Sequence, residues 1–309
     1  MYYPYFRGKQ FELLTIRETA KLMAERGFVP IIEPVKEGLS GLERALKAIC
    51  DVKGNAIVIV NPHHGDLAGN GGGITKMLSK SFLDKDGITA GILLTSGMTV
   101  AEAMACYTKH KDHTPSFIHA GFAHGKALAE SLGVDKPTHV FFAAHTNKTY
   151  WKHFSECKGV LLEDGFKRQR NADYKEIEQF SDLHLTFKED GWDGFGDFLI
   201  VGDDYSESGG PAYAVAIHLT YIDPDAEDQM FIYHFVSDRN ATPTDPAGKF
   251  AEALEKLIAK LDEGDSHLFE GDAIQEFRDL YAKGHFPGLG SVKKLSMKHH
   301  IETLADYLR

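Results

Sequence analysis

Four residues are placed to do proton or metal chemistry. Glu33, His119, His145 and Asp203 each lie at or just beyond the end of a short apolar run: Val29–Pro34, Ser116–Gly121, His139–His145 and Phe198–Asp204. Carboxylates and imidazoles exchange protons near neutral pH and suit Mg, Mn or Zn as ligands. The expectation is that Glu33 or Asp203 acts as base or metal ligand, with His119 and His145 as acid/base groups or ligands. The metal itself is unassigned; a divalent ion is compatible with Glu33, Asp164 or Asp203. Basic residues accompany the set. Arg7 and Lys9 would neutralise developing negative charge on an anionic substrate, with Lys36 on the same rim; the alternative is that Arg7 or Lys9 pairs with Glu12 and Glu33.

A second pattern is Asn61-Pro62-His63-His64-Gly65-Asp66, which leads into Gly69-Asn70-Gly71-Gly72-Gly73. A glycine-rich loop opening onto a helix can offer free N–H groups to a phosphate or carboxylate. It lacks the Gly-Lys-Ser/Thr ending of a P-loop, and a surface lid is the alternative reading. Asn61, His63, His64, Gly71 and Gly72 therefore join Arg7, Lys9, Lys36, Asp164 and Asp204 as the expected substrate-binding residues.

These positions need a frame that brings strand ends together. Eight apolar runs begin near Tyr3, Val29, Ala56, Thr89, Ser116, His139, Gly159 and Phe198, spaced 20 to 39 residues apart. A strand, a helix and two loops need about that much chain. The runs are continuous, as in strands buried on both faces. Helical patterns lie between them, for example Leu39, Leu42, Leu46 and Ile49. The interval before Phe198 holds a short helix candidate, Asp173–Phe180, and a Gly/Asp-rich stretch, 189–196, read as a long loop. The expectation is an α/β fold, a (β/α)8 TIM-like barrel beginning with Tyr3–Phe6, whose active face is the carboxyl end of the strands. An open doubly wound sheet is the rival.

After the eighth run, Ala212–Tyr221 and Met230–Val236 form a β-hairpin pattern around Asp223–Asp228. Asp245-Pro246 opens a helix with an N-cap and a proline at its first position. Two more helices follow, near Asp272–Lys283 and Ser291–Leu308. The division expected is one barrel domain over 1–309, with a hairpin insertion at 205–240 and closing helices at 245–309. Both hairpin faces are apolar, and an isolated hairpin is marginal in water. A homodimer or hetero-complex through 212–236 is therefore expected.

Of 309 residues, 43% are hydrophobic and 26% charged, and the net charge is −11. That composition fits a folded chain, and the acidic balance argues against nucleic acid as partner. No apolar stretch approaches the roughly 20 residues of a membrane span. Cys50, Cys106 and Cys157 are widely spaced, which fits a cytoplasmic setting.

Two resemblances add to this. His119, His145 and Asp203, following the fifth, sixth and eighth runs, resemble half of the amidohydrolase metal pattern; the His-x-His after strand one and the Lys after strand four are missing. The opening Tyr3-Pro4-Tyr5-Phe6-Arg7-Gly8-Lys9-Gln10-Phe11-Glu12, followed by Val29-Pro30-Ile31-Ile32-Glu33-Pro34, resembles the Beta protein family of bacteria and phages. The run Ser237-Asp238, then Asp245–Phe250, looks like a signature of a bacterial subgroup of it. That resemblance implies a barrel-like fold and a link to phage or mobile-element biology. The expected function is a hydrolase acting on an anionic phosphoester or nucleotide-like molecule. The alternative is a non-catalytic barrel that serves as a ligand sensor or as a subunit of a defence or modification complex.

Overall fold

A computed structural model describes residues 1–207 and 209–309. The chain runs through β1 (Tyr5–Phe6), α1 (Gln10–Arg26), β2 (Ile31–Ile32), α2 (Ser40–Asp51), β3 (Ala56–Ile59), α3 (Gly72–Ser81) and β4 (Ile88–Thr95). It continues with α4 (Val100–Lys109), β5 (Ser116–Ala120), α5 (Gly125–Leu132), β6 (His139–Phe142), α6 (Lys148–Trp151), β7 (Gly159–Glu163), β8 (Ile177–Ser181), α7 (Leu183–Thr186) and β9 (Gly194–Asp197). Last come β10 (Ala216–Asp223), β11 (Gln229–Val236), α8 (Pro246–Glu263), α9 (Asp272–Lys283) and α10 (Leu289–Tyr307).

Eight parallel strands pair in the order β1-β2-β3-β4-β5-β6-β7-β9. The sheet returns on itself: Tyr2 bridges Phe195, Tyr3 N donates to Phe195 O at 2.8 Å, and Phe195 N donates to Met1 O at 3.0 Å. This is a nearly closed (β/α)8 barrel. Strand side chains alternate between faces. Tyr5, Ile31, Ile57, Ile59, Leu93, Ile118, Val140, Phe142, Val160 and Leu162 fill the interior, while their sequence neighbours face the helices.

The eighth stave differs from expectation. It is Gly194-Phe195-Gly196-Asp197, whose first three residues end the 189–196 stretch expected as a loop, and Phe198–Asp204 follows it. A Cβ on Gly196 would sit 2.0 Å from Tyr3 O and 2.4 Å from Leu162 Cδ2. The seam therefore requires glycine where a hydrophobic signal would otherwise stand. The helix expected over Asp173–Phe180 also gives way, to a short turn and β8.

The chain forms two compact units: Met1–Asp164 with Thr186–Phe198, and Gly165–Leu185 with Leu199–Arg309. The expected insertion 205–240 includes Ser208, which lies outside the described residues. In the second unit, β10, β11 and β8 form an antiparallel sheet in that order. Ile217, Leu219, Tyr233 and Phe235 pack on Phe250, Leu254, Phe277 and Leu295 of the helices. Within its own unit the hairpin has β8 on the outer edge of β11 and helices on one face. Asp245 caps α8 by accepting from Gly248 N at 3.0 Å, as the Asp-Pro pair predicts.

Candidate functional site

Alternation puts Arg7 and Glu33 on the inner side at the carboxyl ends of β1 and β2, next above Tyr5 and Ile31. Glu33 is fully buried. Its Oε2 accepts from Tyr5 Oη at 2.9 Å and from Arg7 Nη1 at 2.7 Å. Its Oε1 accepts from the backbone N–H of His63 at 2.9 Å and of His64 at 3.1 Å, and from His64 Nδ1 at 3.0 Å. A carboxylate cannot donate, so His64 carries its proton on Nδ1. Burial alone would raise the Glu33 pKa. The hydrogen bond and charge of His64, the Arg7 guanidinium and the His63 N–H outweigh it and lower the pKa to about 2. Five donors occupy an anion with about four lone-pair directions. Glu33 therefore organises the mouth of the barrel.

Around this carboxylate, Arg7 lies 4.9 Å from the Tyr5 ring and 5.6 Å from the Phe198 ring. Phe142 packs against both rings. His145 is exposed, and its ring is roughly parallel to that of Phe142 at 6.5 Å. His63 is exposed and meets His64 edge-on at 5.0 Å. Lys9 is the N-cap residue of α1, and Asp164, just past β7, is exposed.

Other expected binding residues have structural duties. Asn61 continues the β3–β4 ladder with its side chain: Nδ2 donates to Leu93 O and Oδ1 accepts from Leu93 N, both at 2.9 Å. Gly71 presses its backbone on the residue just past β3, and a Cβ there would lie 1.7 Å from Val60 O. Gly72 opens α3 and is exposed. Lys36 is exposed and reaches Asp66 at 3.4 Å.

His119 does not join Glu33. Ile118 points into the barrel, so His119 points outward into the layer between strands and helices. There its Nδ1 meets Tyr150 Oη at 2.7 Å and its Nε2 meets His139 Nδ1 at 2.8 Å. Phe141 stacks on His119 at 4.4 Å, and Phe154 lies 4.3 Å from His139. Burial lowers both pKa values, that of His139 to about 3, so the two rings are neutral at pH 7. Sequence reasoning missed His139 and Tyr150. His139 could have been found from its spacing, because it opens the β6 run at a position facing the same side as Phe141.

Asp203 and Asp204 belong to the second unit, where Asp204 O accepts from Arg168 Nη1 at 3.0 Å. That unit has its own imidazole pair, His218 Nδ1 and His234 Nδ1, 2.7 Å apart, with Tyr174 stacked on His234 at 4.3 Å. Among the described residues, the group close enough to share a metal ion is Asp223, Asp225 and His267. None of the expected ligands is in it.

No family model and no curated protein matches the chain. The resemblance of the opening to the Beta protein family accordingly rests on those residues alone. Among solved structures, the chain is similar to the crystal structure of the enoyl reductase domain of MlnA, from the macrolactin biosynthesis cluster of Bacillus amyloliquefaciens. Identity is 9%, coverage is 99% of this chain and 80% of that one, and the TM-score is 0.37. The hydrolase expectation is corrected here. Glu33 has no spare acceptor, and His119 faces away from the mouth. At that TM-score the likeness brings no reductase activity in its place.

Among the described residues, no helix is long and apolar enough to cross a membrane.

Proposed function

We propose that this protein is a binding barrel that takes a small anionic molecule at the mouth of its first unit. The observation that carries this is the saturation of Glu33. Its negative charge is used by Arg7, Tyr5 and the His63–His64 segment, so an incoming ligand meets imidazole edges rather than a free carboxylate. His145 and the aromatic floor of Tyr5, Phe142 and Phe198 give such a ligand an apolar wall. A reducing, cytoplasmic setting fits three separated free thiols.

Calorimetric titration of the whole chain with citrate, succinate and inorganic phosphate tests the proposal. Saturable binding that weakens with added salt and is reduced by His63→Ala and His145→Ala is expected. Failure of all three anions to bind at ~10 mM, where even an affinity of about −3 to −4 kcal/mol would register, overturns it.

A further inference from the structure

An open groove of about 720 Å³ lies beside the barrel, between the segments that follow β5 and β6. His124, Lys126, Asn147, Thr149, Tyr150 and His153 line it, with Glu130 also on its wall. Lys126 and Glu130 are within 3.9 Å of each other. Tyr150 is also the outer member of the hydrogen-bonded chain Tyr150–His119–His139.

That chain holds three protons when neutral, one on the phenol and one on each imidazole. Its two internal hydrogen bonds use two of them. The third must sit at one end, either on His139 Nε2 or on Tyr150 Oη. His139 is fully buried, and its Nε2 has no partner among the described residues. A buried N–H without an acceptor is worse than a bare ring nitrogen. The Tyr150 end adjoins a groove that water or a ligand can enter. The lower-energy arrangement therefore runs outward: His139 Nδ1–H donates to His119 Nε2, His119 Nδ1–H donates to Tyr150 Oη, and the Tyr150 proton is left for the groove.

We propose that this groove is an oxyanion-binding site, in which the Tyr150 hydroxyl, oriented by His119 and His139, is the central donor. Lys126 supplies positive charge, and Thr149 and the Asn147 amide add donors. Asn147 Oδ1 is already taken by Tyr150 N at 3.0 Å, so its NH2 is the part left for a ligand. Burial raises the Tyr150 pKa, which keeps the hydroxyl protonated at neutral pH. The ligand class is a phosphate- or carboxylate-bearing small molecule. The site is separate from the barrel mouth and does not depend on the reading given to it.

Nitrogen-15 NMR of the histidine side chains in the whole protein tests the arrangement without any substitution. His119 and His139 should both be Nδ1–H tautomers. A His139 Nε2–H tautomer reverses the chain and overturns the proposal. Titration with inorganic phosphate should then shift the His124 and His153 resonances saturably. Tyr150→Phe should weaken that binding about ten- to hundredfold, the worth of one hydrogen bond to a charged acceptor. Lys126→Gln, on the surface, should weaken it as well if Tyr150→Phe does not fold. No saturable shift of these two resonances, or equal phosphate binding by both variants, overturns it.

Discussion

Replacing Glu33 by glutamine should cost the first unit about 3 kcal/mol at pH 7. The carboxylate titrates near 2 in the fold, against 4.5 unperturbed. Each decade between these values is worth about 1.4 kcal/mol, which gives roughly 3 kcal/mol of stabilisation. The folded pKa is depressed, so this contribution is complete above pH 4.5 and is lost as pH falls toward 2. A second route reaches a similar figure: removing one partner of a buried ion pair costs about 3–5 kcal/mol, and the Glu33–Arg7 pair is buried, with Arg7 at 5% exposure. Trp151 and Trp192 are the two tryptophans of the chain, and both belong to the first unit. Urea unfolding followed by tryptophan fluorescence therefore reports the barrel separately from the second unit. With a slope of about 1–3 kcal/mol per molar urea, the midpoint should fall by about 1–3 M. Between pH 4.5 and 2 the variant should lose less stability than the parent. An unchanged or raised midpoint would refute the structural role and return Glu33 to the free carboxylate expected of a catalytic base.

Asn61→Ala should destabilise the barrel by about 1–3 kcal/mol, because Leu93 N and O both lose their partner at the end of the ladder; the same fluorescence-detected urea titration checks it. In the second unit, Glu302 accepts from Ala273 N at 3.1 Å, and burial raises its pKa to about 7, against the effects of that bond and of Lys298. A raised carboxyl pKa means that the folded state holds the extra proton, so stability contributed by this group declines as pH rises from 4.5 to about 7. Glu302→Gln should remove that decline and gain about 1–3 kcal/mol at pH 8; an unchanged pH slope in thermal unfolding followed by circular dichroism would count against it.

Seven of the eight staves were legible because their inward and outward positions are both apolar. In β3, Ala56–Ile59, and β6, His139–Phe142, continuous runs mark the strand itself. The eighth was hidden by packing: Gly194 and Gly196 stand where Tyr3 and Leu162 leave no room for a side chain. β8 was hidden by polarity, since Glu178 and Gln179 give a weak pattern that only pairing with β11 makes a strand. For the site, residue type located Arg7, Glu33 and the His63–His64 pair but misjudged their role. Strand phase decides direction, and a one-residue step separates the interior position of Ile118 from the outward one of His119. The duty of Asn61 had no sequence signal, because it depends on a backbone 32 residues away.

The seam between Tyr2 and Phe195 also sets a timetable for synthesis. These residues are 193 positions apart, and at about 5–20 residues per second that interval takes roughly 10–40 s. Chain collapse takes on the order of microseconds, so the first stave spends nearly all of that time beside β2 with its other edge awaiting a strand not yet made. Unpaired edges of this kind are where nascent chains associate wrongly. The interval is lengthened by β8, translated between β7 and β9 but paired with β11, which emerges about 50 residues later. Each unit therefore begins before the other is finished: the first spans a segment of the second, and the second must hold β8 unpaired until β11 is made.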